Sequence, residues 1–203
     1  MSKKTYHHGN LQPALLDVGE RLLRDRGVTG ISLREVAKEA GVSHAAPYRH
    51  FTDKQSLLAQ LAERGFARLR DAMYEAIDAY PDDPRRQLVE AAAAYIELAV
   101  ANPPMNHLMF GGVLCREAAP DSLSATAEQA FQGLLDIIDN GLRAGLYVER
   151  PALELAATAW SMVHGLAMLA STGHLQGTGT PQADPPALAR RMAEYLLQGI
   201  TPR

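Results

Sequence analysis

The sequence contains very little cysteine and almost no strand pattern. Cys115 is the only cysteine among 203 residues, so one chain forms neither a disulfide framework nor a multi-thiolate metal site. Runs that alternate apolar and polar residues are rare, whereas apolar residues recur at intervals of three and four. The sequence therefore predicts an all-α fold. The single thiol, and the lack of an apolar secretory signal near the N-terminus, predict a cytoplasmic location.

Long apolar runs are also scarce, and only residues 152–170 approach the length of a membrane span. This segment contains Glu154 and His164, and a charged group at membrane depth costs at least roughly 2.5 kcal/mol. No cluster of lysine or arginine flanks the segment, as an orientation signal would require. We therefore expect a buried helix here and no association with a membrane.

The net charge of -3 conceals an uneven distribution of charge. Residues 1–70 carry 12 basic and 7 acidic side chains, whereas residues 71–203 carry 8 basic and 16 acidic ones. Four of the seven histidines also lie in the basic part. A basic segment joined to an acidic remainder is typical of a chain in which one domain binds nucleic acid. Chance clustering of surface charges is the alternative that composition leaves open.

Helix start and stop signals divide the first eighty residues into four predicted helices. Ser32 and Glu35 form a capping box before the second helix, and Gly41 ends it. Thr52 and Gln55 form a second capping box before a long fourth helix. The short second and third helices have the spacing of a helix-turn-helix. The four predicted helices cover about residues 10–26, 33–40, 44–51 and 53–79.

Proline and glycine signals separate the later helices. Tyr80–Pro84 is a clear break, and Pro103 and Pro104 are expected to end a helix before an irregular apolar segment at residues 105–112. The other predicted helices cover about residues 84–102, 122–144, 151–171 and 187–198. We therefore expect about nine helices in total. They would form a three-helix domain at residues 1–56, a linking helix at about 53–79, and a helical bundle at residues 80–203.

The third predicted helix carries side chains that suit a DNA-reading helix. Val36, Ala37 and Phe51 are expected to pack on the first helix, which leaves the opposite face for solvent. Small residues near the start of the third helix allow it to enter the major groove. Pro47 lacks an amide N–H and is expected to disturb the regularity of this helix. The candidate DNA-contacting residues are Ser43, His44, Ala45, Tyr48, Arg49, His50 and Lys54, with packing of the Tyr48 ring on the first helix as the alternative for that residue.

A set of short motifs is spread over residues 6–66. They are Tyr6–Gly9, Gly27, Ile31–Arg34, Val36–Ala37, Ala40–Ser43, Tyr48–Phe51, and Lys54 before Leu57–Leu58. Together they resemble the N-terminal DNA-binding domain of the TetR/AcrR family of repressors. The resemblance implies a homodimer, one DNA-reading helix per subunit, and a divergent C-terminal domain that binds an effector. It also implies that Arg34 contacts bases or phosphate, and that Tyr48, His50 and Lys54 contact phosphates. Such a dimer would bind a palindromic operator in double-stranded DNA.

Residues Trp160–Gly165 resemble the tryptophan-histidine-glycine motif of one class of C-terminal domains in this family. The helix around the motif is apolar nearly all round, which requires burial on two sides. We expect one side to pack within its own domain and the other to form a four-helix dimer interface with the last helix. The predicted interface residues are Leu155, Ala159, Val163, Leu166 and Ala170, together with Leu188, Met192, Tyr195 and Leu196 of the last helix.

Methionine and aromatic residues in the second domain predict a site for a small apolar or aromatic effector. Ordinary core packing is the alternative for each of them, and for His164 a hydrogen bond to a backbone carbonyl. Cys115 is more typical of a small buried hydrophobe than of a redox sensor. The candidate lining residues are Tyr95, Met105, His107, Met109, Phe110, Cys115, Trp160 and His164.

Two other classes of function remain open at this point. An enzyme built in a helical bundle has little support, because no paired carboxylates, nucleophile with its base, or metal-ligand cluster stands out. We expect no cofactor and no metal. A small-molecule-binding protein that does not bind DNA is the second alternative, and it lacks the steep salt dependence of a DNA-binding protein.

Overall fold

Residues 11–114, 120–177 and 184–201 are described by the computed structural model, and over these residues the chain is helical with no strand. The predicted all-α fold is therefore confirmed. The α-helices are α1 (Leu11–Arg26), α2 (Leu33–Glu39), α3 (Lys54–Ala79), α4 (Pro84–Ala101), α5 (Pro103–Phe110), α6 (Asp121–Arg143), α7 (Ala152–Ser171) and α8 (Pro185–Ile200). Two short 3-10 helices cover Pro47–Arg49 and His174–Gly177.

The chain divides into two compact units. The N-terminal unit contains α1, α2, the first 3-10 helix, α3 as far as Gly65, and α5 from Pro104. The C-terminal unit contains α3 from Phe66, then α4, most of α6, α7 and α8. The sequence instead assigned the α5 segment to the second domain. The predicted boundary after residue 56, between a DNA-binding and a ligand-sensing domain, stays a prediction. The two compact units are defined by how the chain packs and not by what each part binds.

The N-terminal unit has a core that α1, α2 and the start of α3 share. Leu15, Leu22 and Leu23 are buried on α1, because apolar residues at helical spacing fall on one face. Val36, Ala37 and Phe51 are buried as predicted, while Gly19 lets α3 approach closely: a Cβ there would lie 3.4 Å from the Leu61 side chain. This packing supports the short α2 and the turn that follows it.

The C-terminal unit is built around a second core in which α3, α4, α6, α7 and α8 all take part. Tyr147, just after α6, is buried there and its hydroxyl donates a hydrogen bond to the Pro84 carbonyl at 3.0 Å. Gly141 makes room for the Tyr147 ring, since any Cβ at that position would collide with it. On the flank of this core, Arg190 of α8 contacts the Glu90 carboxylate of α4 at 3.0 Å.

Two predicted boundaries were wrong. The cap of α3 is Asp53 and not Thr52: Asp53 Oδ1 accepts from the Ser56 N–H at 2.8 Å, and Ser56 Oγ accepts from the Asp53 N–H at 3.3 Å. Aspartate is at least as good a cap as threonine, so the capping box starts one residue later. Pro103 and Pro104 do not precede an irregular segment but open α5, because proline is tolerated in the first helical turn.

Among the described residues, α7 is the one helix that is long and apolar enough to cross a membrane by length and composition, with a mean hydropathy of 1.3. Only 33% of that window is buried within the chain. The expectation of a buried helix is thus met on one side only. The other side presents large apolar side chains to solvent. A contiguous exposed apolar surface is typical of an interaction site.

Candidate DNA-binding surface and ligand chamber

The second helix is fixed at both ends. Ser32 caps it by accepting a hydrogen bond from the Glu35 N–H at 3.2 Å, as the sequence predicted. Arg26, at the end of α1, contacts the carboxylates of Glu35 at 3.0 Å and Glu39 at 3.5 Å. Gly41 ends the helix with a φ of +69°, a conformation that favours glycine. These contacts hold α2 on α1 and leave its outer face open.

The segment after this turn was predicted as a short helix over residues 44–51 whose regularity Pro47 disturbs. Residues 44–46 form a turn and Pro47–Arg49 a 3-10 helix. Pro47 is the physical reason, because it has no N–H to donate to the Ser43 carbonyl. That oxygen instead accepts from the Ala46 N–H at 2.9 Å. The irregularity at Pro47 is therefore confirmed, but the helical part is limited to three residues.

The polar side chains of this segment face solvent while its apolar ones face the core. Pro47 and Phe51 are buried, whereas Tyr48 is 54% exposed. Tyr48 exposure at this level disagrees with the alternative in which the ring is packed on α1. The result is a protruding polar surface that can meet a groove. The other exposed candidates are Arg34, Ser43, His44, Ala45 and Arg49.

His50 and Lys54 lie at the edge of this surface and are half-buried. The His50 ring stands edge-on to Phe51, with 6.4 Å between ring centroids. The Lys54 ammonium donates a hydrogen bond to the Val28 carbonyl at 2.7 Å, a contact that the sequence did not predict. An ammonium group has three N–H donors, and this bond uses one of them.

The C-terminal unit contains a small apolar cavity of about 30 Å³, which we call the chamber. This volume is about that of one water molecule, whereas ligand pockets of ordinary size have roughly 300–1,000 Å³. No charged side chain lines the chamber. Its lining residues are Met73, Leu88, Ala91, Ala92, Tyr95, Leu134, Ala159, Trp160, Met162, Val163, Ala193 and Leu196.

Tyr95, Trp160 and His164 come together at the chamber, and all three are predicted ligand residues. Tyr95 Oη lies 2.8 Å from His164 Nδ1, and the Trp160 and His164 rings are 5.9 Å apart between centroids. Burial raises the pKa of Tyr95 to about 12, opposed by a hydrogen bond with Trp160. Burial also lowers the pKa of His164. The Tyr95–His164 pair is therefore uncharged at neutral pH.

The predicted ligand residues of α5 lie elsewhere. Met105 and Met109 pack over Gly65 in the N-terminal unit: a Cβ on Gly65 would lie 2.5 Å from Met109 Sδ and 3.2 Å from Met105 Sδ. His107 and Phe110 belong to the same helix, and none of the four lines the chamber. They pack within the N-terminal unit, and their contact with an effector stays a prediction. Cys115 falls outside the described residues.

Four predicted interface residues on α7 were also placed on the wrong face. Leu155, Ala159, Val163 and Leu166 are buried within the chain and have almost no surface left for a partner. Ala170, Leu188, Met192 and Leu196 are half-buried, and Tyr195 is 63% exposed. A helix that is apolar all round gives no sequence signal for which face turns outward. The apolar side chains that α7 does expose are Leu153, Trp160, Met168 and Leu169.

The N-terminal unit carries a helix-turn-helix and the C-terminal unit is a helical domain, an arrangement typical of one class of protein, the helical DNA-binding regulators. Within the described residues, no group of three His, Cys, Asp or Glu side chains is placed to hold a metal ion. A family model described as bacterial regulatory proteins of the tetR family matches residues 15–61, and a tetracyclin repressor-like C-terminal domain model matches residues 88–196. The chain belongs to the tetR family of bacterial regulatory proteins, which confirms the resemblance seen in its motifs.

Individual relatives agree with this family. The HTH-type transcriptional regulator Rv1816 of Mycobacterium tuberculosis is 28% identical over 141 residues, 66% of this chain and 58% of that protein. AcrR of Shigella flexneri is 33% identical over 110 residues, 54% of this chain and 51% of that protein. The chain thus spans little more than half the length of these curated relatives.

Solved structures match over nearly the whole chain. A protein of unknown function from Rhodococcus sp. RHA1 has a TM-score of 0.86 and 33% identity, covering 98% of this chain and 100% of that one. The TetR family regulator PfmR of Thermus thermophilus has a TM-score of 0.70 and 20% identity, covering 91% and 97%. The second similarity shows the shared fold.

Proposed function

We propose that this chain is a cytoplasmic transcriptional repressor that binds a palindromic operator as a homodimer and is released by a small apolar effector. The observation that carries the proposal is the outward presentation of residues 43–49, with Tyr48, His44 and Arg49 exposed above a buried Pro47 and Phe51. A protruding turn with these groups can enter the major groove. Imidazole and guanidinium groups can contact bases or phosphate there.

A second copy of the chain is the partner that supports this function. One turn of this kind reads only a half-site, and two of them must be spaced by about 34 Å to meet successive major grooves. The exposed apolar side chains of α7 and Tyr195 of α8 form a surface that a second copy would cover. A two-fold axis would pair α7 and α8 with the same helices of the partner, as in a four-helix bundle.

The chamber is the proposed effector site. At about 30 Å³ the chamber is smaller than an ordinary ligand pocket, so an effector would have to expand it. An effector that enters would separate the helices that line the chamber, including α4 and α7. If operator DNA prefers the closed conformation, linkage requires effector and operator to weaken each other's binding by the same factor.

The test is an anisotropy titration of labelled promoter fragments at two salt concentrations. We expect binding to weaken steeply as salt rises, because phosphate contacts release counterions. Tyr48→Ala is expected to weaken binding about tenfold on every fragment, the loss of roughly one charge-assisted phosphate contact. Tyr74→Ala, which removes an exposed tyrosine from α3 in the C-terminal unit, is the matched control. A DNA affinity that does not change with salt, or an equal loss of affinity in both variants, would favour a protein that does not bind DNA specifically.

A further inference from the structure

Tyr95 and His164 form a polar pair beside a chamber that is otherwise apolar. Tyr95 lines the chamber, and its hydroxyl lies 2.8 Å from His164 Nδ1. The Trp160 ring lines the same chamber and lies next to His164. The remaining lining residues are aliphatic or methionine side chains. Any polar group of a ligand would therefore be recognised at this pair or at the neighbouring indole of Trp160, which shares a hydrogen bond with Tyr95.

The hydrogen bond within the pair restricts which polar group can be bound. One of the two atoms donates and the other accepts, whichever tautomer His164 adopts. A hydroxyl that enters between them can accept from one partner and donate to the other, so it suits either tautomer of His164 and replaces one hydrogen bond by two. An ether or a ketone only accepts. It bonds to both partners only when the Tyr95 hydroxyl and a His164 Nδ1–H both donate to it, and in the other tautomer one partner loses its bond, which is unfavourable in a buried site.

Charge restricts the ligand further. No arginine or lysine lines the chamber, and burial favours the uncharged form of both Tyr95 and His164. A carboxylate moved from water into this lining would lose its hydration and gain no counter-charge. Arg190 of α8 is already held by Glu90, at 3.0 Å, and is no part of the lining. An acid is therefore a much poorer ligand than the alcohol or phenol of the same carbon skeleton.

We propose that the effector is an uncharged apolar molecule with a hydroxyl group, and that this hydroxyl inserts between Tyr95 and His164 while its apolar part expands the chamber beside Trp160. The regulatory role of this ligand rests on the proposed function. The binding site itself does not depend on DNA recognition. Tyr95 and His164 are the residues that would determine specificity.

The test uses the fluorescence of Trp160, which is the only tryptophan in the chain. The probes are three molecules with one skeleton: para-propylphenol, propylbenzene and para-propylbenzoate. We expect the phenol to change the Trp160 emission and to bind about tenfold more tightly than propylbenzene, because it gains one net hydrogen bond. We expect the benzoate to bind more weakly than both.

Tyr95→Phe keeps the ring and removes the hydroxyl, and it should bring the phenol and propylbenzene to nearly equal affinity. Tyr74→Phe is the matched control, because its hydroxyl bonds to Asp136 away from the chamber, and it should keep the preference for the phenol. Thermal unfolding of both variants checks that they are folded. The proposal is overturned if the benzoate binds as tightly as the phenol, if Tyr95→Phe keeps the preference, or if no probe binds the wild type.

DNA binding of the ligand-free protein is measured in parallel with the promoter titration. Probe binding without DNA binding would reject the repressor and retain the hydroxyl site. DNA binding without probe binding would reject the hydroxyl site and retain the repressor. The two failures are thus separate.

Discussion

Lys54 stands at the first position of α3, where its ammonium group donates to the Val28 carbonyl at 2.7 Å. Val28 belongs to the connection between α1 and α2, so this bond joins two parts of the helix-turn-helix that are 26 residues apart in sequence. The sequence suggested only a phosphate contact for Lys54. The structure adds a stabilising role, and a single substitution would remove both.

Lys54→Ala is expected to lower the free energy of unfolding by about 1 kcal/mol, the usual net value of a partly exposed hydrogen bond. Lys38→Ala removes an exposed lysine from α2 and should change the free energy of unfolding by less than about 0.5 kcal/mol. Urea unfolding of both variants measures the difference. Equal stability of the two variants would show that the Val28 contact contributes nothing.

Other predictions for single residues were confirmed where one local property, such as backbone conformation or helical spacing, decides the outcome. Gly41 ends α2 with a positive φ, as its position in the sequence indicated. Val36 and Phe51 are buried because their spacing leaves them no other face. The face of α7 that is buried was not predictable in this way, because apolar residues occur all round the helix. Only the packing of α4 and α8 decides which of them are covered.

At the scale of elements, α3 and the Pro47–Arg49 segment show how much local sequence decides. The long α3 and its approximate limits were predicted from apolar spacing, but its cap was misplaced by one residue. Thr52 and Asp53 are neighbours, and both are residue types that cap helices. The 3-10 form of Pro47–Arg49 follows from one missing amide, yet the exact shape of the turn depends on Phe51 being anchored in the core.

Asp53→Ala is expected to destabilise the protein by about 1 kcal/mol, because the Ser56 N–H loses its acceptor. Thr52→Ala, at the neighbouring exposed position, should alter stability by less than about 0.5 kcal/mol. Thermal unfolding compares the two variants directly. A larger loss from Thr52→Ala would return the cap to the position that the sequence suggested.

At the scale of the whole molecule, the sequence predicted the family and the helical fold, but it did not predict that α5 packs with the N-terminal unit. Met105 and Met109 were expected at the effector site because methionines often line such sites. They pack on Gly65, where a Cβ would lie 2.5 Å from Met109 Sδ and 3.2 Å from Met105 Sδ. No local pattern encodes a contact between two segments about forty residues apart.

Homodimer formation through α7 and α8 is tested with the double variant Leu153→Glu and Tyr195→Glu. Both side chains are more than 60% exposed in one chain, so the charges should leave the protomer folded and prevent its association. Sedimentation velocity is expected to show a dimer for the wild type and a monomer for the variant. Ala144→Glu, at an exposed site after α6, should remain dimeric. A dimeric double variant would place the interface elsewhere.

The exposed apolar side of α7 also has a consequence for the monomer before it dimerises. A newly synthesised chain carries this surface into a crowded solution, where other unfinished proteins offer apolar surface as well. If the proposed dimer forms, the lifetime of the monomer depends on the rate of dimerisation. Dilution then shortens this lifetime, and a chaperone that covers α7 prolongs it. For the same reason the melting temperature should rise with protein concentration. Abundance of the regulator would thus be set partly by how readily its own copies find each other.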